Sequence, residues 1–113
     1  MRVTVSDTAK QHLREGYWWY EKQDPGAGDY FLRCLYVEIE SLHRLAGIHR
    51  KAHGLFRLLT DKFPFAICYY LRADTITVHA VLDLRQHPAK IRQRLNPCHP
   101  TLRPQNLGQA TLI

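Results

Sequence analysis

The residues best suited to chemistry lie between positions 57 and 85, where cations alternate with aromatic and imidazole side chains. Tyr70, Arg72 and His79 fall in two consecutive strand-like segments, and Arg57 and Arg85 flank them. Guanidinium groups bind phosphates and carboxylates, tyrosine rings stack on bases, and an imidazole exchanges protons near neutral pH. These residue types indicate an anionic partner, either a nucleic acid or an acidic peptide.

The pairing of the two strand-like segments decides which of these side chains share a surface. Ala73-Asp74 reads as a two-residue turn, and side chains alternate between the faces of a strand. This register predicts a core face of Phe65, Ile67, Tyr69, Leu71, Ile76, Val78, Ala80 and Leu82. It predicts a second face of Cys68, Tyr70, Arg72, Thr77 and His79, with Arg85 just beyond the strand end. If Lys62 and Phe65 flank the preceding turn, Arg57 joins this second face beside Tyr70.

The elements that must position these residues follow from capping and periodicity. Ser6 and Asp29 are placed to cap two helices with apolar stripes at helical spacing, and Gly47 ends the second helix. We therefore expect an α+β fold in which a helical hairpin packs on one antiparallel sheet. The predicted order is β-α-α-β-β-β-α: a strand around 3–5, helices 7–23 and 29–46, strands 55–60, 65–72 and 75–83, and a helix 88–95.

The length and composition bound the organisation of the chain. A chain of 113 residues with 45% apolar content is large enough for one core. We expect a single domain over residues 1–95, followed by an extended tail over 96–113 that contains Pro97, Pro100 and Pro104. No segment is long and apolar enough to suggest a membrane span or a secretory signal, and the three cysteines suggest reduced thiols. A cytoplasmic location is therefore expected.

The net charge of +6 is unevenly distributed. Residues 48–95 hold nine Lys or Arg against three Asp or Glu, whereas residues 1–47 hold six against seven. This distribution favours an anionic partner on the sheet side, although a basic charge can also simply aid solubility. The cluster His49, Arg50, Lys51 and His53 lacks the acidic or cysteine ligands that a metal site recruits, so neither a metal nor a cofactor is expected.

Three segments together resemble a known family. They are WWYEKQDPGAGDYFL, FPFAICYY and VLDLRQHPAKI, and the resemblance covers residues 1–95. The chain resembles the toxin half of a type II toxin–antitoxin module in the RelE/ParE superfamily, also called plasmid stabilisation proteins. The resemblance implies a cognate antitoxin as partner.

The superfamily has two activities. ParE-like members poison DNA gyrase, whereas RelE-like members cleave messenger RNA on the ribosome and often carry a Tyr or His on the last helix. Here residues 88–95 read PAKIRQRL, with neither, which favours the ParE-like branch and leaves enzyme activity uncertain. If the chain is instead an endoribonuclease, its candidate catalytic residues are Arg57, Lys62, His79, Arg85 and His87. A basic adaptor of the same fold without activity is the third alternative.

Several residues are candidates for partner binding in any of these cases. They are Trp18, Trp19, Arg57, Tyr70, Arg72, Arg85 and Arg92. Each has a structural alternative: Arg85 can form a surface pair with Asp83, His79 can be a half-buried packing residue, and the adjacent tryptophans can pack on the second helix. Because Trp18 and Trp19 are adjacent on a helix, at least one should be exposed.

Overall fold

The computed structural model describes residues 2–86, in which two helices pack on a five-stranded sheet of order β1-β5-β4-β3-β2. The elements are β1 Arg2–Val5, α1 Asp7–Gln23, α2 Ala27–Glu40, α3 Leu42–Leu45, β2 Arg50–Ala52, β3 Leu55–Leu59, β4 Phe65–Arg72 and β5 Thr75–Asp83. The predicted α+β class and helical hairpin are confirmed. The predicted helix 88–95, the tail 96–113, His87 and Arg92 lie outside the described residues. Across 2–86, no helix has the length and apolar character needed to cross a membrane.

The sheet is mixed rather than wholly antiparallel. β1 runs parallel to β5, with Val3 paired to Ile76 and Val5 to Val78. The reason is topological: the helices carry the chain from β1 across to the far edge of the sheet, and the four antiparallel strands that follow lead back to β1. The other three strand pairs are antiparallel, and of these the β3–β4 and β4–β5 pairs were predicted.

The β4–β5 hairpin has the predicted turn, but the predicted register holds only for the half next to it. Ala73 takes the left-handed conformation, with φ of 54°, and Tyr70 pairs with Thr77 as expected. A bulge then inserts His79 opposite the Cys68/Tyr69 step, so that Cys68 pairs with Ala80 rather than with His79. An inserted residue reverses the alternation beyond it. Ala80 and Leu82, predicted for the core face, therefore lie on the opposite side, and Val81 replaces them in the core.

Strand β3 is also offset from its predicted register, by two residues. Phe56 pairs with Tyr69 and Arg57 with Cys68, because the loop before β4 is longer than a tight turn. A shift of two residues preserves the faces, so Phe56 and Leu58 still point towards the helices and Arg57 still points away. The short strand β2 was not predicted. It pairs with β3 through a turn at His53 and Gly54, whose φ angles are 55° and 79°.

Helix α1 has the predicted bounds, and its cap is the predicted one: the Ser6 hydroxyl accepts from the Ala9 N–H at 3.0 Å. Helix α2 begins two residues before the predicted Asp29. The reason is that Gly26 adopts a φ of 91°, while the Glu21 carboxylate accepts from the N–H groups of Gly26 and Gly28. The predicted single helix 29–46 is interrupted at Ser41, whose hydroxyl donates to the Glu38 carbonyl at 2.5 Å.

The core lies between the hairpin and the sheet. Its centre is Phe31, which is fully buried and whose ring lies 4.9 to 5.3 Å from those of Tyr20, Phe63 and Phe65. The two helices approach closely because Gly16 faces this ring: a Cβ at position 16 would lie 2.5 Å from Phe31 Cζ. The core thus determines both the distance between the two helices and their position on the sheet.

Candidate functional site

We call the side of the sheet turned away from α1 and α2 the open face. It carries four arginines, no two of them on one strand: Arg2, Arg50, Arg57 and Arg72. Its other members are Thr4, Ala52, Leu55, Leu59, Ala66, Cys68, Tyr70, Thr75, Thr77, His79, Ala80 and Leu82. The strand residues that the structure describes place no carboxylate on this face. The open face is therefore positively charged, as the sequence predicted.

Part of the open face is apolar and inaccessible to solvent. Ala66, Cys68, Ala80 and Leu82 are fully buried and form a second cluster, against which Leu55 and Leu84 pack. Burial raises the pKa of the Cys68 thiol to about 11, and the nearby Arg57 only partly opposes this. Cys68 therefore remains a thiol at neutral pH and is unsuited to nucleophilic catalysis. It serves as a small packing residue in this cluster.

Arg57 and His79 lie on either side of Cys68 and Ala80, two small residues of this cluster. Arg57 pairs with Cys68 across β3 and β4, and Cys68 pairs with Ala80, next to the inserted His79. Both side chains are half-buried. Within residues 2–86, Arg57 Nε and His79 Nε2 are buried and have no hydrogen-bond partner. The structure thus places two of the sequence-predicted site residues on the same face, on β3 and β5 with β4 between them.

Tyr70 lies beside them but is already in contact on two sides. The guanidinium carbon of Arg72 lies 5.6 Å from the centre of its ring, and the His79 ring lies 6.5 Å away. A cation over a tyrosine ring is a favourable contact of about 0.5–1 kcal/mol at an exposed site. Tyr70, Arg72 and His79 therefore form one packed group next to Arg57.

Arg85 does not join the open face. Its guanidinium makes a bidentate pair with Asp83, at 2.9 and 2.8 Å, and lies 5.3 Å from the Trp19 ring and 5.5 Å from the Tyr20 ring. These rings belong to α1, so Arg85 sits on the helix side of the sheet. The hydrogen bond to Asp83 raises the pKa of Arg85 further. The predicted placement of Arg85 beside the second face is wrong, because Asp83 and the aromatic rings hold it on the other side.

Trp18 and Trp19 form an aromatic ledge on the outside of α1. Their exposed fractions are 57% and 52%, so both are accessible, where at least one was expected. Trp19 also contacts Arg85, whereas Trp18 packs edge-on against Tyr17. The ledge and the open face are on opposite sides of the sheet.

Lys62 and the histidine cluster are not part of the open face. Lys62 is exposed in the loop between β3 and β4. His49 turns to the core, where its Nδ1 lies 2.5 Å from the Tyr69 hydroxyl, which also accepts from the Gly47 N–H. Burial lowers the pKa of His49, and the charge of Glu38 opposes this shift. Residues 2–86 hold no group of three side chains arranged to bind a metal.

Two residues that shape the sheet around the site were not predicted from the sequence. Arg50 lies on the open face beside Arg57. It was missed because β2 was not predicted, although His53-Gly54 between short strands is a recognisable hairpin turn. His12 is buried on α1, and its Nδ1 accepts from the Val81 N–H at 3.1 Å, two residues after the inserted His79. A bulge cannot be seen in the spacing of apolar residues, so no pattern could have identified the role of His12. His12 also lines a groove of about 190 Å³ with Trp19 and Asp83.

The protein is an α+β protein in which a helical hairpin packs on a mixed sheet. A comparison with solved structures found the same arrangement in another protein. A chain of the solved structure titled "Chromosomal ParDE TA system from P. aeruginosa" superposes with a TM-score of 0.69 at 17% identity, over 74% of this chain and 96% of that chain. No family model and no curated protein matches the sequence. The chain therefore shares the fold of that chain of the ParDE system, an α+β fold of the kind that the resemblance implied.

Proposed function

We propose that this protein is the toxin of a type II toxin–antitoxin module, that it is ParE-like, and that it acts by binding a topoisomerase such as DNA gyrase. The observation that carries the proposal is the superposition on a chain of the ParDE system over nearly its full length. A cognate antitoxin neutralises the toxin, and both act in the cytoplasm. Plasmid stabilisation is the corresponding biological role.

Binding rather than RNA cleavage is supported by the state of the candidate catalytic residues. Cleavage through the 2′-hydroxyl requires a base, a cation to hold the phosphate, and an acid. Arg85 is engaged by Asp83 and the α1 rings, and Lys62 lies apart in a loop. This dispersal favours the gyrase-binding candidate.

A specific observation keeps endoribonuclease activity as the second candidate. Arg57 and His79 lie on the same basic face, on β3 and β5 with β4 between them, and a cation with an imidazole is the minimum that phosphate binding and proton transfer need. In that case His79→Ala should lower RNA cleavage ~10²–10⁴-fold. His87→Ala serves as the companion variant, since His87 is the other candidate proton donor.

Expression in bacteria separates the candidates. Gyrase poisoning predicts filamentation with DNA breaks and inhibition of supercoiling by the purified protein, whereas RNA cleavage predicts rapid loss of translation. A chain that does not affect growth would be the inactive adaptor. Growth arrest that is lost in His79→Ala, together with cleaved messenger RNA, would overturn the gyrase proposal in favour of the ribosome and its mRNA as target.

The surfaces proposed for partners can be tested by charge reversal. We assign antitoxin binding to the open face, through Arg57, Tyr70 and Arg72. We assign target binding to Arg85 and the ledge formed by Trp18 and Trp19. Arg92 is the remaining candidate for partner binding. Arg57→Glu should weaken antitoxin binding by about 2–5 kcal/mol if its charge is desolvated in the complex. Arg33→Glu, on the outside of α2, is the matched control. Equal titration curves for the two variants would place the antitoxin elsewhere.

A further inference from the structure

Four residues of the open face are buried, although the helices of residues 2–86 pack on the other side of the sheet. The exposed fraction is zero for all four, which are Ala66, Cys68, Ala80 and Leu82. The described residues that pack against this cluster are Leu55 and Leu84. We infer that the chain's own segment 87–95 docks on the open face and covers the cluster.

Two leucines in matching positions indicate where the cover lies. Leu59 pairs with Ala66, and Ala66 pairs with Leu82, so the two leucines flank the same alanine on the open face. Within residues 2–86 neither leucine has a strand on its outer side, since β2 pairs with β3 over 55–57 and β1 pairs with β5 over 75–78. Leu59 is nonetheless 61% exposed, whereas Leu82 is fully buried. The cover therefore lies over β4 and β5 and leaves the end of β3 open.

The described neighbours of the cluster are too few to form this cover. Leu84 follows Leu82 by two residues, about 7 Å along the chain, and Leu55 is on β3. Both are only half-buried themselves. Two half-buried leucines at the margin do not hide a patch that extends over two strands, so a further part of the protein must lie above it.

The position of the buried patch selects the part of the chain that follows Gln86. Outside the described residues the chain has Met1 and residues 87–113. The N-terminus meets β5 at Thr75, about 23 Å from Leu82 at 3.3 Å per residue. The chain leaves β5 one residue after Leu82. The residues after Gln86 therefore start beside the patch, whereas Met1 is at the far end of the strand.

The first part of this stretch has the apolar pattern that a cover needs. A helix over 88–95, which Pro88 at its start favours, places Ile91 and Leu95 on one face and Gln93 on the opposite face. Eight residues of helix extend about 12 Å, and the two strand spacings from β5 to β3 amount to about 10 Å. A helix of this length is sufficient to cover the cluster.

Hydrophobic contact, and not charge, must hold the segment in place. Residues 87–113 contain no Asp or Glu, and the open face carries four arginines, so the charges of the two surfaces repel each other. Salt screens such repulsion and leaves apolar contact intact. The cover should therefore persist at high salt, whereas an acidic partner on the same face would be released.

The test follows the thiol of Cys68 in the full-length protein. Cys34→Ser together with Cys98→Ser leaves Cys68 as the one thiol of the chain, and its rate of reaction with dithionitrobenzoate reports its access to solvent. Ile91→Asp should raise this rate at least about tenfold, because the docked position would bury a charge. Gln93→Asp, on the opposite face, is the matched control and should stay within about twofold of the parent protein. Equal rates in the two variants would overturn the proposal.

A milder pair of variants decides the matter if Ile91→Asp unfolds the protein, which circular dichroism would show. Leu95→Ala shortens an apolar side chain without burying a charge, and it should make Cys68 react about threefold faster than in Gln93→Ala. A Leu95→Ala variant in which Cys68 is as unreactive as in Gln93→Ala would contradict the proposed cover.

Dilution and salt distinguish the segment from another occupant. A second copy of the chain would dissociate on dilution, so a Cys68 rate that rises over an about hundredfold fall in protein concentration would replace the intramolecular cover by a dimer. Protection that is lost in about 1 M salt would mean that charge holds the cover, which residues 87–95 cannot supply. An unchanged rate under both conditions is expected, and it does not depend on whether the chain is a toxin.

Discussion

The two sides of the sheet are built on the same strands but satisfy different requirements. The helix side consists mainly of aliphatic and aromatic residues, and two of its buried polar side chains are paired with other elements: Tyr69 with Gly47 and His49, and His12 with Val81. The open face instead carries four arginines, of which Arg2, Arg50 and Arg72 are exposed. The paired polar groups of the helix side hold the fold together, whereas the arginines give the open face its positive charge.

This difference separates stability from binding. A protein domain is stable by only about 5–15 kcal/mol, so repelling arginines are tolerated only where some other benefit outweighs their cost. On the open face the benefit we propose is binding of the antitoxin. Substitutions on the helix side should accordingly change stability first, and those on the open face should change binding first.

The largest effect is expected from Phe31→Ala, at the centre of the core. The ring is fully buried and contacts three other aromatic rings, so its removal should cost about 3–5 kcal/mol. Urea unfolding followed by circular dichroism measures the change. Arg72→Ala on the open face is the control and should change stability by no more than about 0.5–1 kcal/mol, the contribution of its contact with Tyr70. Comparable losses in the two variants would contradict the division between the sides.

A smaller loss is expected from Gly16→Ala. Alanine favours the helix by about 1 kcal/mol, but its Cβ would lie 2.5 Å from a ring that is packed on all sides. Overpacking of this kind costs about 1–3 kcal/mol, so we expect net destabilisation. Lys10→Ala, at an exposed position of α1, gives the effect of an alanine without the clash. If Gly16→Ala were more stable than wild type, the two helices could move apart to accommodate the added methyl group at little cost.

Much of the fold could be predicted because local signals and core packing agree. The Ser6 cap, the helix 7–23 and the turn at Ala73-Asp74 are each determined by residues close in sequence. The segment WWYEKQDPGAGDYFL has a structural explanation of the same kind: Glu21 holds the turn between the helices, and Gly28 allows them to meet, since a Cβ there would lie 2.6 Å from Tyr17. The parallel pairing of β1 was missed because it depends on contacts distant in sequence.

The candidate site was predicted less completely, and the bulge explains most of the difference. Spacing places Arg57, Tyr70 and Arg72 on one face correctly, because a register shift of two residues does not change faces. The insertion at His79, however, moves Ala80 and Leu82 across the sheet and creates the small-residue cluster beside Arg57. The position of Arg85 was missed for a different reason: its contacts with Asp83 and Trp19 join separate elements, and no spacing shows them.

The next effect in size concerns pH and the helix side. Burial lowers the pKa of His49, with Glu38 opposing the shift, so the folded protein binds this proton less readily than the unfolded chain. The stability that this group contributes is therefore present above about pH 6.5 and is lost as the pH falls below it towards the lowered value. We expect His49→Gln to show a smaller loss of stability than wild type between pH 7.5 and 5.5. A matching change in a variant of the exposed His53, His53→Gln, would assign the effect to general surface charge.

The smallest effect on stability is expected at Arg85, where it separates a surface ion pair from a functional residue. Arg85 is partly exposed and pairs with Asp83, and such a pair contributes only ~0.2–1 kcal/mol. Arg85→Ala should therefore unfold almost as wild type, while growth inhibition on expression should be lost if Arg85 and the ledge bind the target. Asp83→Asn is the matched variant, because it removes the ion pair and leaves the guanidinium against Trp19; it should keep most of the toxicity. If Arg85→Ala were as toxic as wild type, Arg85 would not bind the target and would have only the structural role of pairing with Asp83.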